Sequence, residues 1–171
     1  EIETGKISQD EVRDALSQSL TDLRLVIDSL DVASEGLPTL LGMLRSRLQP
    51  RLDGHGIELH WAVQALPGLD DFGPRKALQL MRILQEIFVN ILKHSKAHNI
   101  YLTTQVLQSE EDFEQIEITI RDDGSWQKPE DNLGRGLKNM RRRALNIGAD
   151  FQISGDNTGT SIRIILPGCS K

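Results

Sequence analysis

Apolar positions recur along the chain with two different periods, and the changes of period mark its elements. Leu16, Leu20, Leu23, Ile27 and Leu30 follow one another at four, three, four and three residues, a heptad-like stripe that predicts a helix over about 8–31. One helix cannot bury such a stripe by itself. Half of a helical hairpin that dimerises is therefore expected, in preference to a helix packed on its own domain. Gly36-Leu37-Pro38 interrupts the pattern, a second helix is predicted to about Leu52, and Asp53-Gly54-His55-Gly56 closes it. The break divides the chain into a short unit over 1–35 and a larger domain over 36–171.

In the larger domain Ile57, Leu59, Trp61 and Val63 alternate with more polar residues, as in a half-buried strand that Leu66-Pro67-Gly68 ends. From Pro74 a long helix is predicted to about Ala97, with Ala77, Leu80, Leu84, Ile87, Phe88 and Ile91 on one face. Strands follow near 99–107 and 114–122, the second with Ile116, Ile118 and Ile120 on one side. A polar stretch from Ser125 to Leu133 precedes a helix over about 135–147 that stops at Gly148. Two last strands, about 150–154 and 160–167, are joined by Gly155-Asp156-Asn157-Thr158-Gly159. The pattern predicts an α+β fold. Its form is a two-layer α/β sandwich, with a mixed, mostly antiparallel sheet covered on one face by helices and preceded by the amphipathic helix.

Composition narrows the picture. A chain of 171 residues, 38% hydrophobic, can bury one core of ordinary size. Its formal charge of -5 gives no electrostatic reason to expect nucleic acid, and Arg141-Arg142-Arg143 reads as a helix flank. The single cysteine, Cys169, excludes an internal disulfide and any multi-cysteine metal site. No apolar run approaches the roughly 20 residues needed to span a bilayer, so this chain is not expected to cross a membrane. It begins at Glu1 in charged, helix-prone sequence without an initiator methionine, and is expected to be a piece of a longer protein.

The candidate chemistry lies on the long helix and in two glycine-bearing segments. At 100° per residue Glu86 and Asn90 are one turn apart, Lys93 falls over Glu86, and His94 sits nearby, away from the apolar stripe. An amide, a cation and a carboxylate in one column suit a metal triphosphate: Asn90 can give an oxygen to Mg²⁺, Lys93 a charge to phosphate, and Glu86 can accept a proton or orient a water. Asp122-Asp123-Gly124 closes an alternating strand, where the Asp122 carboxylate can accept a hydrogen bond from an exocyclic amine. Gly134-Arg135-Gly136-Leu137-Lys138-Asn139-Met140 opens a helix, where glycines let backbone N–H groups approach phosphates. Thr160, after Gly159, begins the last strand and can offer a hydroxyl to phosphate. The two segments are expected to wall a pocket for ATP.

The succession Gln85-Glu86-x-x-x-Asn90-x-x-Lys93-His94, Asp122-Asp123-Gly124, Gly134-x-Gly136-Leu137-x-Asn139-Met140 and Gly159-Thr160 resembles the ATP-binding domain of sensor histidine kinases. The likeness covers about 37–167 and points to the nitrate- and membrane-fluidity-sensor subfamily of the gyrase-type ATPases. It implies that Asn90 is the Mg²⁺ ligand and Glu86 the catalytic carboxylate. Asp122 and Gly124 would form the adenine wall. Lys93, His94, Gly134, Gly136, Leu137 and Thr160 would be further nucleotide contacts, with 125–136 a mobile lid. It further implies transfer of the ATP γ-phosphoryl to a histidine and relay to a response regulator. The parent would be a homodimer joined through a helical hairpin whose second helix is the stripe at 8–31, and this domain would be the cytoplasmic part of a membrane-associated bacterial sensor. Two features depart from the family pattern. Trp126 stands where a second glycine is usual, and no histidine lies in the first 50 residues, so the acceptor is expected upstream of this chain. His55, His60 and His98 are expected to be surface or packing residues. An anti-sigma-factor-type serine kinase and a degenerate nucleotide-binding or dimerisation module without kinase activity are the alternative readings.

Overall fold

The computed structural model describes residues 36–69, 72–108, 113–125 and 134–170. The predicted helix over 8–31, the unit over 1–35 to which it belongs, and Trp126 with the rest of the expected lid up to Leu133 lie outside the described residues. Helix α1 (Leu37–Gly54) is followed by β1 (Glu58–Ala62), α2 (Pro74–Asn90) with a π turn (Ile91–Ser95), β2 (Asn99–Gln108), β3 (Phe113–Asp122), α3 (Arg135–Asn146), β4 (Asp150–Asp156) and β5 (Gly159–Ser170). The five strands form one sheet in the order β1-β2-β3-β5-β4. Only β1 and β2 pair in parallel. The intervening helix explains this: a crossover through α2 brings the chain back in the same direction, whereas β4 and β5 are joined by a tight turn and run antiparallel.

Period-2 alternation turns one sheet face inward. Ile100 and Leu102 of β2, Ile116, Ile118 and Ile120 of β3, and Ile162, Ile164 and Leu166 of β5 are all buried, and register stacks them in rows such as Leu102, Ile120 and Ile162. The helices lie on that face. Leu37, Leu40, Leu41, Leu44, Leu48 and Leu52 give α1 a buried stripe at helical spacing, and Ala77, Leu80, Met81, Leu84, Ile87 and Phe88 do the same for α2. On α3 the buried residues are Leu137, Met140 and Ala144. The opposite sheet face is polar. There Glu117 of β3 accepts hydrogen bonds from Gln105 at 2.7 Å and Thr119 at 3.3 Å and pairs with Arg163, so its buried carboxylate is satisfied.

Two details differ from the pattern-based expectation. The long helix is not regular to Ala97: after Asn90 it widens into the π turn, and Lys96 adopts the left-handed conformation at φ 55°. The last two strands are longer than predicted, reaching Asp156 and starting at Gly159, because the connection is a tight turn held by Asp156. There Asp156 accepts hydrogen bonds from the Thr158 N–H at 2.7 Å and the Thr158 hydroxyl at 2.6 Å.

Candidate functional site

Segments far apart in sequence meet at the C-terminal end of α2. Asn90 is the last residue of its α-helical part and Glu86 lies one turn earlier, both half-buried. The N-terminus of α3 faces them. A Cβ added to Gly136 would overlap Glu86 Oε1 and lie 3.7 Å from Asn90 Nδ2, so a bare backbone lets the start of one helix lie against the carboxylate and amide of the other. Gly134 caps α3, and the first turn contains no acidic residue. The amides of that turn that lack a partner within the helix, with the positive end of the helix dipole, therefore adjoin Glu86. Leu137 is buried in the core and fixes this helix start.

The π turn makes the second junction. Ser95 donates its hydroxyl to Ile91 O at 3.0 Å and accepts from Ala97 N–H at 3.1 Å, which holds the wide turn closed. The outward-facing Ser95 carbonyl then accepts the Ser125 N–H at 2.8 Å. Gly124 packs on the same carbonyl, where a Cβ has no room. The end of β3 is thus bound to the last residue of the π turn that follows Asn90. Lys93 and His94 lie within the turn and are exposed. This corrects the single column expected for Glu86, Asn90, Lys93 and His94: a π turn takes more residues per revolution, so Lys93 and His94 fall behind the line through Glu86.

Asp122 ends β3 on the inner face and is 1% exposed. Its Oδ1 accepts the Gly124 N–H at 2.9 Å, and the hydroxyl and N–H of Thr160 also donate to the carboxylate. Burial pushes the Asp122 carboxyl above the usual carboxylate range, against these hydrogen bonds, and the adjacent charge of Asp123 acts in the same direction as burial. Thr160 was expected to turn its hydroxyl to phosphate. Pairing of β3 with β5 sets Thr160 opposite Asp122, and its hydroxyl donates to the carboxylate across the ladder. Gly159, at φ 142°, packs against the Asp122 carbonyl where no Cβ fits.

Asp123 points the other way and is exposed. Its Oδ1 accepts the N–H groups of His98 at 2.8 Å and Asn99 at 2.9 Å, and its Oδ2 accepts Asn99 Nδ2 at 2.8 Å. Partial burial raises its pKa, but the bonds from the Asn99 side chain and from the Asn99 and His98 backbone outweigh it and hold the carboxyl below the usual range. Sequence reasoning assigned Asp123 and Asn99 no role. The available signal was the strict alternation of β3, which sends two consecutive acids to opposite sides. Of the remaining histidines, His55 Nδ1 lies 2.8 Å from Arg51 O, His60 stacks on Tyr101 at 4.5 Å between ring centroids, and His98 is exposed.

The donor set fits magnesium as far as it goes: a half-buried amide oxygen on Asn90 beside the Glu86 carboxylate is hard-oxygen chemistry. Among the described residues no three His, Cys, Asp or Glu side chains cluster closely enough to hold a metal unaided. An ion here would share its remaining ligands with phosphate and water. Among the described residues no helix is long and apolar enough to cross a membrane.

Comparisons with known proteins agree with this architecture. Residues 75–169 match the family described as histidine kinase-, DNA gyrase B-, and HSP90-like ATPase. The sensor protein VraS of Staphylococcus saprophyticus is 30% identical over 173 residues, covering 94% of this chain and 48% of the relative. VraS of Staphylococcus aureus is 36% identical over 104 residues, covering 58% and 28%. The chain thus spans about half the length, or less, of the curated relatives it matches. Among solved structures, the blue-light activated histidine kinase of Erythrobacter litoralis superposes with a TM-score of 0.67 at 24% identity, over 93% of this chain and 56% of that one. The Acinetobacter baumannii histidine kinase AdeS gives 0.65 at 14% identity, over 97% and 88%. Full-length ShkA in complex with AMPPNP gives 0.62 at 19% identity, over 99% and 41%. These structural likenesses establish a shared fold. With the family match extending over more than half of its residues, the chain belongs to the histidine kinase-, DNA gyrase B- and HSP90-like ATPase family.

Proposed function

We propose that this chain is the ATP-binding catalytic domain of a sensor histidine kinase, which moves the γ-phosphoryl group of ATP to a histidine supplied outside these residues, for relay to a response regulator. The observation that carries the reading is the meeting of four separated segments at the end of α2: Gly136 against Glu86 and Asn90, Gly124 against Ser95, and Gly159 against Asp122. The VraS relatives are named as sensor proteins, and ShkA carries an ATP analogue on the same fold. Within the family, the Asp122-Asp123-Gly124 and Gly134-x-Gly136-Leu137-x-Asn139-Met140 motifs favour the nitrate- and membrane-fluidity-sensor group. On this reading the parent is a homodimer joined through the hairpin to which 8–31 belongs, with this domain on the cytoplasmic side of a bacterial membrane.

Each residue then has a role. The buried Asp122 carboxylate accepts a hydrogen bond from the adenine amine and is aimed by Thr160 and Gly124. Asn90 lends its amide oxygen to Mg²⁺, which when bound neutralises charge on the phosphates. The α3 amides at Gly136, with Lys93 and His94, hold phosphoryl oxygens. Glu86 lies beside those amides and accepts a proton from, or orients, the attacking group. Because the transition state of phosphoryl transfer spreads charge over its oxygens, positioning and electrostatics carry most of the rate.

The test separates the two ends of the ligand. Asp122→Asn is expected to weaken ATP by about 10- to 100-fold, the loss of a charge-assisted hydrogen bond, while changing Mg-tripolyphosphate by less than about threefold. Equal losses for both ligands by calorimetry would reject the adenine role. Asn90→Ala should abolish the enhancement of ATP binding by Mg²⁺, and an unchanged enhancement would reject the ligand role.

A further inference from the structure

Asp123 does not face the pocket, yet its carboxylate accepts three hydrogen bonds. Five bonds sew the end of β3 to the last residue of the π turn and the segment just after it. Three are accepted by the Asp123 carboxylate, from His98 N–H, Asn99 N–H and Asn99 Nδ2. The Asp123 N–H donates to Asn99 O at 3.2 Å, and the Ser125 N–H donates to Ser95 O at 2.8 Å. Asn99 is itself anchored on the far side, because its Oδ1 lies 3.0 Å from His60 Nε2 of β1. The residues joined here flank the two walls of the pocket. On one side Asn90, Lys93 and His94 lie within the five residues before Ser95; on the other, Asp122 immediately precedes Asp123.

The geometry points to Asp123 as a positioning residue of the nucleotide site: its carboxylate sets the separation and angle between the strand end that carries Asp122 and the helix end and π turn that carry Asn90, Lys93 and His94. This inference rests on the nucleotide reading above. Only an ionised carboxylate serves all three donors, since each partner is an N–H and the group must accept at both oxygens. Asparagine can keep the two backbone bonds through its carbonyl oxygen. Its amino group would then oppose the Asn99 amide, whose own oxygen is engaged by His60.

A positioning residue leaves a distinct signature in binding. Adenosine and Mg-tripolyphosphate each need one wall, whereas Mg-ATP needs both at a fixed spacing, and the gain from linking the two halves depends on that spacing. With the whole chain, Asp123→Ala is expected to weaken Mg-ATP by about tenfold or more while adenosine and Mg-tripolyphosphate, followed by NMR titration below the unfolding temperature, change by less than about threefold. Asp123→Asn should recover part of the loss. Undiminished Mg-ATP affinity in Asp123→Ala overturns the positioning role, as does an equal loss for all three ligands, which marks direct contact or general disruption. A wild-type chain that binds neither Mg-ATP nor its halves instead overturns the nucleotide reading, and the inference with it.

Discussion

Asp122 and Asp123 differ by one position in sequence and by the sign of their electrostatic contribution to stability. For Asp122, burial raises the folded pKa above the unfolded value. Its contribution is therefore present below the ordinary carboxylate pKa and is lost as pH rises through the folded pKa, so near neutral pH the buried charge is a cost. For Asp123 the folded pKa is depressed, so its contribution is present above the unfolded pKa and is lost as pH falls through the folded one. Asp122→Asn is thus expected to leave Tm unchanged or raise it by a few degrees near neutral pH, the gain fading in acid. Asp123→Asn is expected to lower Tm, the deficit also fading in acid. Thermal melts of both variants across the acidic range check this, and changes of the same sign would contradict it. The end of β3 was legible in the sequence because Ile116, Ile118 and Ile120 set the alternation that turns Asp122 inward. The work of Asp123 was not, since its partners His98 and Asn99 lie 25 and 24 residues away. The pairing of Thr160 with Asp122 was not legible for a similar reason: which strand lies opposite is a matter of register, and register has no local signal.

At the scale of elements, α2 shows what periodicity can and cannot reveal. Its apolar stripe and Pro74 at its start predicted one helix to about Ala97, but the π turn over Ile91–Ser95, which ends the α-helical part at Asn90, left no mark in the spacing. That turn matters because it delivers the Ser95 carbonyl to Gly124 and Ser125; π turns inside helices recur at functional sites. Substitutions at the two close approaches separate backbone from side-chain obstruction. Gly124→Ala drives a Cβ into the Ser95 backbone carbonyl, which cannot move alone, and is expected to cost about 1–3 kcal/mol, read as a fall in Tm. Gly136→Ala meets only the tip of the Glu86 side chain, which can swing aside, and alanine is about 1 kcal/mol better than glycine in a helix. It should therefore keep or slightly raise Tm while impairing phosphoryl transfer through the displaced carboxylate. Equal destabilisation by the two changes would show that the Gly136 approach is as rigid as that at Gly124.

For the molecule as a whole, topology does what no single motif can. The β1-α2-β2 crossover lays α2 on the sheet. Antiparallel pairing of β3 with β5 then brings Thr160 to Asp122, and α3 returns its first turn to Glu86. The α+β class, the helical layer on one sheet face and most element limits followed from hydrophobic spacing. The parallel pairing of β1 with β2 and the strand order depend on long-range contacts that spacing does not encode. The central claim is that these segments form one nucleotide pocket. Titrating the isotope-labelled chain with AMPPNP and Mg²⁺, and following backbone amide signals, tests it most directly. The amides of Asn90, Gly124, Gly136 and Thr160 are expected to shift together along one saturating curve. Shifts confined to one wall, or none at saturating nucleotide in a folded sample, would contradict it.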